Sequence, residues 1–114
     1  MKAKQFNLFA EEELLKNCDM KQINDLAREA YCNALKRGKI TREDSHEIIY
    51  IGINKELNEF CEATDNPSEH LPQYTERQEE LADVLICCLT ELHREGVNVE
   101  EIIKAKIEYN KTRL

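Results

Sequence analysis

The sequence predicts an all-α domain of four helices behind a short N-terminal extension. Three observations point to it. Apolar residues recur at helical spacing, and none of the 114 residues falls in an alternating β-pattern. Four segments open on a pair resembling a capping box, in which a side chain at the helix start and another three residues on satisfy each other's backbone N–H groups. Gly38, Gly96, Pro67 and Pro72 fall between these segments, where a chain leaving a helix needs a left-handed residue or a break.

Taken in order, residues 1–18 form an N-terminal arm or short amphipathic helix carrying Phe6, Phe9, Leu14 and Leu15, able to pack on a partner subunit. Residues 19–114 form the domain proper. Its first helix, expected near 20–37, opens at Asp19-x-x-Gln22 and closes at Gly38. The second, near 42–64, opens at Thr41-x-x-Asp44, the weakest of the four boxes, and closes before Asn66-Pro67. The third, near 75–95, runs from Thr75-x-x-Gln78 to Gly96. The fourth, near 99–112, opens at Asn98-x-x-Glu101.

Composition narrows the function. Charged residues make up 34% of the chain, hydrophobic ones 41%, and the net charge is −7. That balance opposes non-specific binding to a nucleic-acid backbone, which needs a basic face. The cysteines, Cys18, Cys32, Cys61, Cys87 and Cys88, are odd in number and lack CxxC spacing. They indicate neither a zinc site nor a disulfide framework, and they suit a reducing cytoplasm. No apolar run approaches the roughly 20 residues needed to span a bilayer. The opening MKAKQFNLFAEEE lacks the apolar core of a signal peptide. The expectation is a cytoplasmic protein with neither membrane nor nucleic-acid partner.

The informative chemistry is carboxylate. Glu56 and Glu59 share one face of the second helix, and Glu80 and Asp83 one face of the third. The helix-breaking stretch between them lets the two helices fold back as a hairpin and bring the four acids together. One ExxE pair among so many acids ordinarily marks a solvated face. Two pairs on adjacent helices are a different matter, because Glu56 falls inside the apolar stripe of Ile49, Ile53 and Phe60, where a carboxylate needs compensation. A crowded, all-oxygen, anionic pocket suits a hard divalent cation such as Mg²⁺. On the third helix Leu81, Leu85, Cys88 and Leu92 are expected to form the core stripe. The fourth carries Lys106 and Asn110 within the stripe of Val99, Ile102 and Ile103, with Arg113 close by. Inward acids on two helices and inward donors on a third would hold a polyanion between them.

The bland readings are snorkelling for Lys106 and helix capping for Arg113. The histidines, His46, His70 and His93, are expected to be structural or surface residues. Only Glu43-x-x-His46 fits the Glu-x-x-His pattern that di-iron bundles use on two helices, so that reading is set aside. Without a Gly-rich phosphate loop, phosphate recognition must come through metal and side chains.

These residues resemble a known family. ELNEFCEA (56–63), EELADVLI (79–86) and KAKIEYNKTR (104–113), preceded by AYCNALKRG (30–38), are similar to the motifs of the MazG-type all-α nucleoside triphosphate pyrophosphohydrolases. The resemblance covers most of residues 20–114. It implies a four-helix MazG-like bundle, assembled as a homodimer or homotetramer, with Mg²⁺ (or Mn²⁺ in its place) held by Glu56, Glu59, Glu80 and Asp83. The implied reaction is hydrolysis of a ribo- or deoxyribonucleoside triphosphate to the monophosphate and pyrophosphate, a house-cleaning of nucleotide pools. Glu59 or Glu56 would help deprotonate or orient the water. Lys106, Asn110 and Arg113 would contact phosphate or nucleotide, and Asn33 would sit near base or sugar. Lys55 and Cys87 depart from the family pattern, relatives often continue past Leu114 with a short basic tail, and residues 1–18 have no counterpart. The rival expectations are a nucleotide-binding helical sensor with little turnover, or a regulatory module whose acids are merely surface.

Overall fold

The computed structural model describes residues 22–113, which form four helices and no strand. They are α1 (Ile23–Lys36), α2 (His46–Glu62), α3 (Glu76–Arg94) and α4 (Val99–Lys111). The arm at 1–18, Asp19 and Cys18 lie outside the described residues. None of the four helices is long and apolar enough to cross a membrane.

Helix ends follow the chemistry of their caps. Thr75 and Gln78 form a complete capping box at α3, the Thr75 side chain accepting from Gln78 N and the Gln78 side chain from Thr75 N. Asn98 caps α4 by accepting from Glu101 N at 3.1 Å. Gly38 and Gly96 take positive φ, 73° and 82°, just past α1 and α3, the left-handed conformation that glycine adopts without a Cβ clash.

The expected start of α2 needs correction. Thr41 and Asp44 do join, Thr41 N and Oγ1 both donating to the Asp44 carboxylate, but they lock a turn before the helix. The cap is Ser45, whose hydroxyl accepts from Ile48 N at 3.3 Å, so α2 begins at His46. At α1 the N-cap is Gln22, which makes no side-chain cap hydrogen bond.

α3 is the hub of the packing. Among the described residues it touches the other three helices, α4 rests on α1 and α3, and α2 touches no helix but α3. Ala27 of α1, Leu89 of α3 and Val99 of α4 form the buried centre, with Ile23, Leu92 and Ile103 packed around it. Asn24 ties the same three-helix corner: its amide nitrogen donates to Asn98 Oδ1 at 3.1 Å and its oxygen accepts from Glu100 N at 2.9 Å. The Tyr31 and His93 rings meet at 5.0 Å between α1 and α3.

The α3 stripe also needs correction. Leu89 and Thr90 are its buried residues, whereas Leu81 and Leu85 stand exposed on a shallow apolar groove with Gln78, Ala82, Val84 and Cys88. The expected stripe holds at its C-terminal end, where Leu92 packs on the centre and Cys88 is half-buried, and fails at Leu81 and Leu85, because α1 and α4 close on Leu89 further along the helix. On α2, Ile49, Ile53 and Phe60 are half-buried against α3, as the stripe predicts.

Candidate metal centre

Two end-clamps set α2 against α3. At the turn, Glu76 of α3 accepts from Thr64 N at 2.6 Å, and Arg77 Nε donates to Asp65 Oδ1 at 2.9 Å. Pro67 and Thr75 form an isolated antiparallel bridge, which closes the connection on itself. At the open end, Arg94 Nη1 donates to Arg42 O at 3.0 Å while its Nε and Nη2 donate to Glu91, 2.7 and 3.1 Å away. The fold-back expected from the Asn66-Pro67 break is therefore present and held at both ends.

Between the clamps the hairpin brings the acids together. Oxygens of Glu56, Glu80 and Asp83 all lie within 4.8 Å of one another, and all three side chains are half-buried. Glu80 Oε2 is enclosed, with no hydrogen-bond partner among the described residues. Glu59 is exposed and stands outside this close set, but its charge is felt by all three.

The electrostatics are those of a site short of positive charge. Burial raises the Glu56 carboxyl above its ordinary range, reinforced by Glu59 and Asp83. Burial also raises Glu80, with Asp83, Glu59, Glu79 and Glu56 adding repulsion. Asp83 is raised by burial, then by Glu79 and Glu59. Lys39 partly offsets this at Glu56 and Asp83, Lys55 at Glu56 and Arg37 at Asp83. A buried, unpartnered carboxylate oxygen beside two more carboxylates fits a hard divalent cation, which would supply the missing partner. Glu56, Glu80 and Asp83 would ligate it directly, with Glu59 at the rim.

Cys87, one turn beyond Asp83, borders the cluster. Burial, with the charges of Glu56, Cys88 and Asp83, pushes its thiol pKa up and so keeps it protonated.

The other expected site residues are not brought to the carboxylates within the subunit. Lys106, Asn110 and Arg113 are exposed rather than inward, and α4 makes no contact with α2. Ile102 is exposed with them, because only the first turns of α4 reach the core through Val99 and Ile103. Lys106 and Arg113 instead flank the Tyr109 ring, 4.9 and 6.0 Å from its centroid. Asn33 is likewise exposed, near the end of α1.

Sequence reasoning missed three things. Lys39 and Arg37 lie close enough to temper the cluster, and the basic KRGK run after α1 was the available signal. Glu79 holds both Ser68 Oγ and His70 Nδ1, which the Ser-x-His spacing alone does not reveal. A second mixed group, His46, Glu91 and Glu95, gathers at the open end of the hairpin, where Arg94 already pairs with Glu91.

No family model matches the chain, and no curated protein or solved structure matches it either.

Proposed function

We propose that the protein is a Mg²⁺-dependent nucleoside triphosphate pyrophosphohydrolase, working in the cytoplasm as a homodimer or homotetramer. The observation that carries this reading is the enclosed, unpartnered oxygen of Glu80 within 4.8 Å of Glu56 and Asp83. Such a cluster is costly unless a cation completes it. The motif resemblance supplies the substrate class, and the all-helical fold with its acid-bearing hairpin is consistent with it.

Glu56, Glu80 and Asp83 would hold the cation, which would supply charge neutralisation at phosphate oxygens for in-line attack by water. The chain's own residues do the rest. Glu56, Glu80 and Asp83 fix the position of the charge-compensating centre from two helices. Glu59, exposed beside them, accepts a hydrogen bond from the attacking water and orients it. Lys106, Asn110 and Arg113 form an exposed polar end of α4 suited to a phosphate chain, with Asn33 offering an amide to base or sugar.

The test is a panel of canonical and modified nucleoside triphosphates with Mg²⁺, followed by chromatography of the products. Monophosphate and pyrophosphate are expected from at least one member. The diphosphate as primary product would overturn the cleavage position, and no turnover with any member would overturn the reading.

A sensor that binds nucleotide with little turnover is the second reading, favoured by the protonated Cys87 thiol at the cluster's edge. Tight nucleotide binding with negligible monophosphate release would select it.

A further inference from the structure

The face of α3 that lies opposite Glu80 and Asp83 by helical phase is apolar along most of its length. In its C-terminal half Leu89 is buried against Ala27 of α1 and Val99 of α4. In its N-terminal half the same face is open. Two shallow hollows meet there at Gln78 and Ala82, one bounded by Leu81 and Leu85, the other by Leu71, Tyr74 and Glu79. Leu71, Tyr74, Leu81 and Leu85 are all exposed. The described helices thus cover half of one continuous apolar strip and leave the other half bare.

The chain that precedes α1 enters beside the covered half, because Ile23 packs against the cluster of Ala27, Leu89 and Val99. From Ile23 to Ala27 is one helical turn, from Ala27 to Leu89 one helix–helix contact, and from Leu89 to Leu85 one further turn. A turn is about 6 Å and packed helices lie about 8–10 Å apart, so Ile23 and Leu85 are within roughly 22 Å. Phe9 stands fourteen residues before Ile23. That stretch spans about 21 Å as a helix and up to about 46 Å when extended. Helical or extended, it carries Phe9 as far as Leu85.

The composition of the segment matches the strip. Phe6 and Phe9 are three residues apart, on one side of any helical turn, as Leu81 and Leu85 share one side of α3. Lys2 and Lys4 are the only charged side chains before Glu11, in a chain whose net charge is −7. A segment laid from Leu85 toward Tyr74 points these lysines at the end of the strip edged by Glu79. A tethered segment also meets the strip at an effective concentration near millimolar, so it outcompetes a second copy present at micromolar concentration.

We infer that residues 1–18 dock on this strip of their own subunit, with Phe6 and Phe9 seated on Leu81 and Leu85 and with Lys2 and Lys4 directed toward Glu79. Ile48, Tyr50 and Ile51, exposed on α2, remain for contact between subunits.

The chain contains no tryptophan, so Phe9→Trp in the whole protein supplies a single reporter. Its indole emission should be blue-shifted and shielded from acrylamide. Leu85→Glu in the same chain should return the emission to that of a solvated indole, with cooperative melting retained because Leu85 is exposed. Should Leu85→Glu fail to fold, Leu85→Ser takes its place. Solvated emission from Phe9→Trp alone overturns the docking. Sheltered emission that the Leu85 change leaves unaltered overturns it too, because the segment then packs elsewhere. A mixture identifies whose strip is occupied. The Phe9→Trp, Leu85→Glu double variant, with a reporter and a blocked strip, is combined with Phe6→Ser, Phe9→Ser, whose strip is open. Emission that stays solvated at micromolar concentration supports docking within one subunit. Emission that moves to the blue places the segment on a second copy and overturns the inference.

Discussion

Glu56 and Glu80 face each other across the seam between α2 and α3, their carboxylate oxygens within 4.8 Å. Two helices have been brought together at a point where their side chains repel. A ligand that neutralises both should therefore stabilise the folded protein as well as enable chemistry.

Replacing Glu80 with Gln keeps the shape and removes one of the charges. The metal-free variant should melt no lower than the parent. With Mg²⁺ at a hundredfold excess over its Kd, the parent should gain about 2.7 kcal/mol. Each 1 kcal/mol moves the midpoint of a domain this size by roughly 4–8 °C. The variant should lose most of that shift and its activity. Melting curves of both proteins, with Mg²⁺ and with chelator, decide it, and an equal shift in both would remove Glu80 from the site.

The raised carboxyls of Glu56, Glu80 and Asp83 give the metal-free protein a signed pH response. Each binds its proton more tightly folded than unfolded. Their contribution to stability is therefore fully present below the ordinary carboxylate range and is lost as pH rises through the raised native values. Glu79 and Asp44, held low by hydrogen bonds from Ser68 and Thr41, work in the opposite sense. The clean measurement is the difference between parent and Glu80→Gln in chelator, by denaturant titration at a series of pH values. The parent should lose ground to the variant as pH rises. A difference that stays flat would mean that Glu80 does not titrate abnormally.

Lys106→Ala and Asn110→Ala should weaken substrate use far more than Mg²⁺ binding. Both residues are exposed, so neither change should move stability by more than about 0.5 kcal/mol. Kinetics alongside Mg²⁺-induced melting shifts will show it. Unchanged turnover and KM in both variants would leave the end of α4 without a role in the site.

Leu81 and Leu85, 51% and 55% exposed, line an apolar groove on α3 that the described part of one subunit does not cover. A homodimer or larger assembly is expected at micromolar concentration. Leu85→Glu should shift it toward monomer in light scattering if this face is the contact. A parent that scatters as a monomer would refute the assembly itself.

The helices and the meeting of Glu56, Glu80 and Asp83 were legible because they follow from local signals and one break between two helices. Thr75, Asn98, Gly38 and Gly96 act through hydrogen bonds and φ angles within a few residues, so their roles can be read from spacing. Glu56 stood out because it interrupts an apolar stripe. Phase arguments failed where partners decide which face is inside. Leu81 and Leu85 look like core until α1 and α4 are seen to close on Leu89, and Lys106 looks inward until α4 is seen to leave the bundle after Ile103. Ser45 displaced Thr41 as the cap of α2 because Thr41 and Asp44 satisfy each other first. The Ser68–Glu79–His70 linkage joins residues on a loop and a helix, and no periodicity reports such a contact.

Among the described helices, α2 has α3 as its sole neighbour, while the buried centre belongs to α1, α3 and α4. The hairpin can thus breathe without melting the corner that Ala27, Leu89 and Val99 hold shut. Amide protons of α2 should exchange with solvent through partial openings well below the free energy of global unfolding. Any cation held by both helices of the hairpin would slow that exchange, because α2 must release the ion to open. Occupancy would then be written in the protection of α2, at amides whose exchange does not wait for global unfolding.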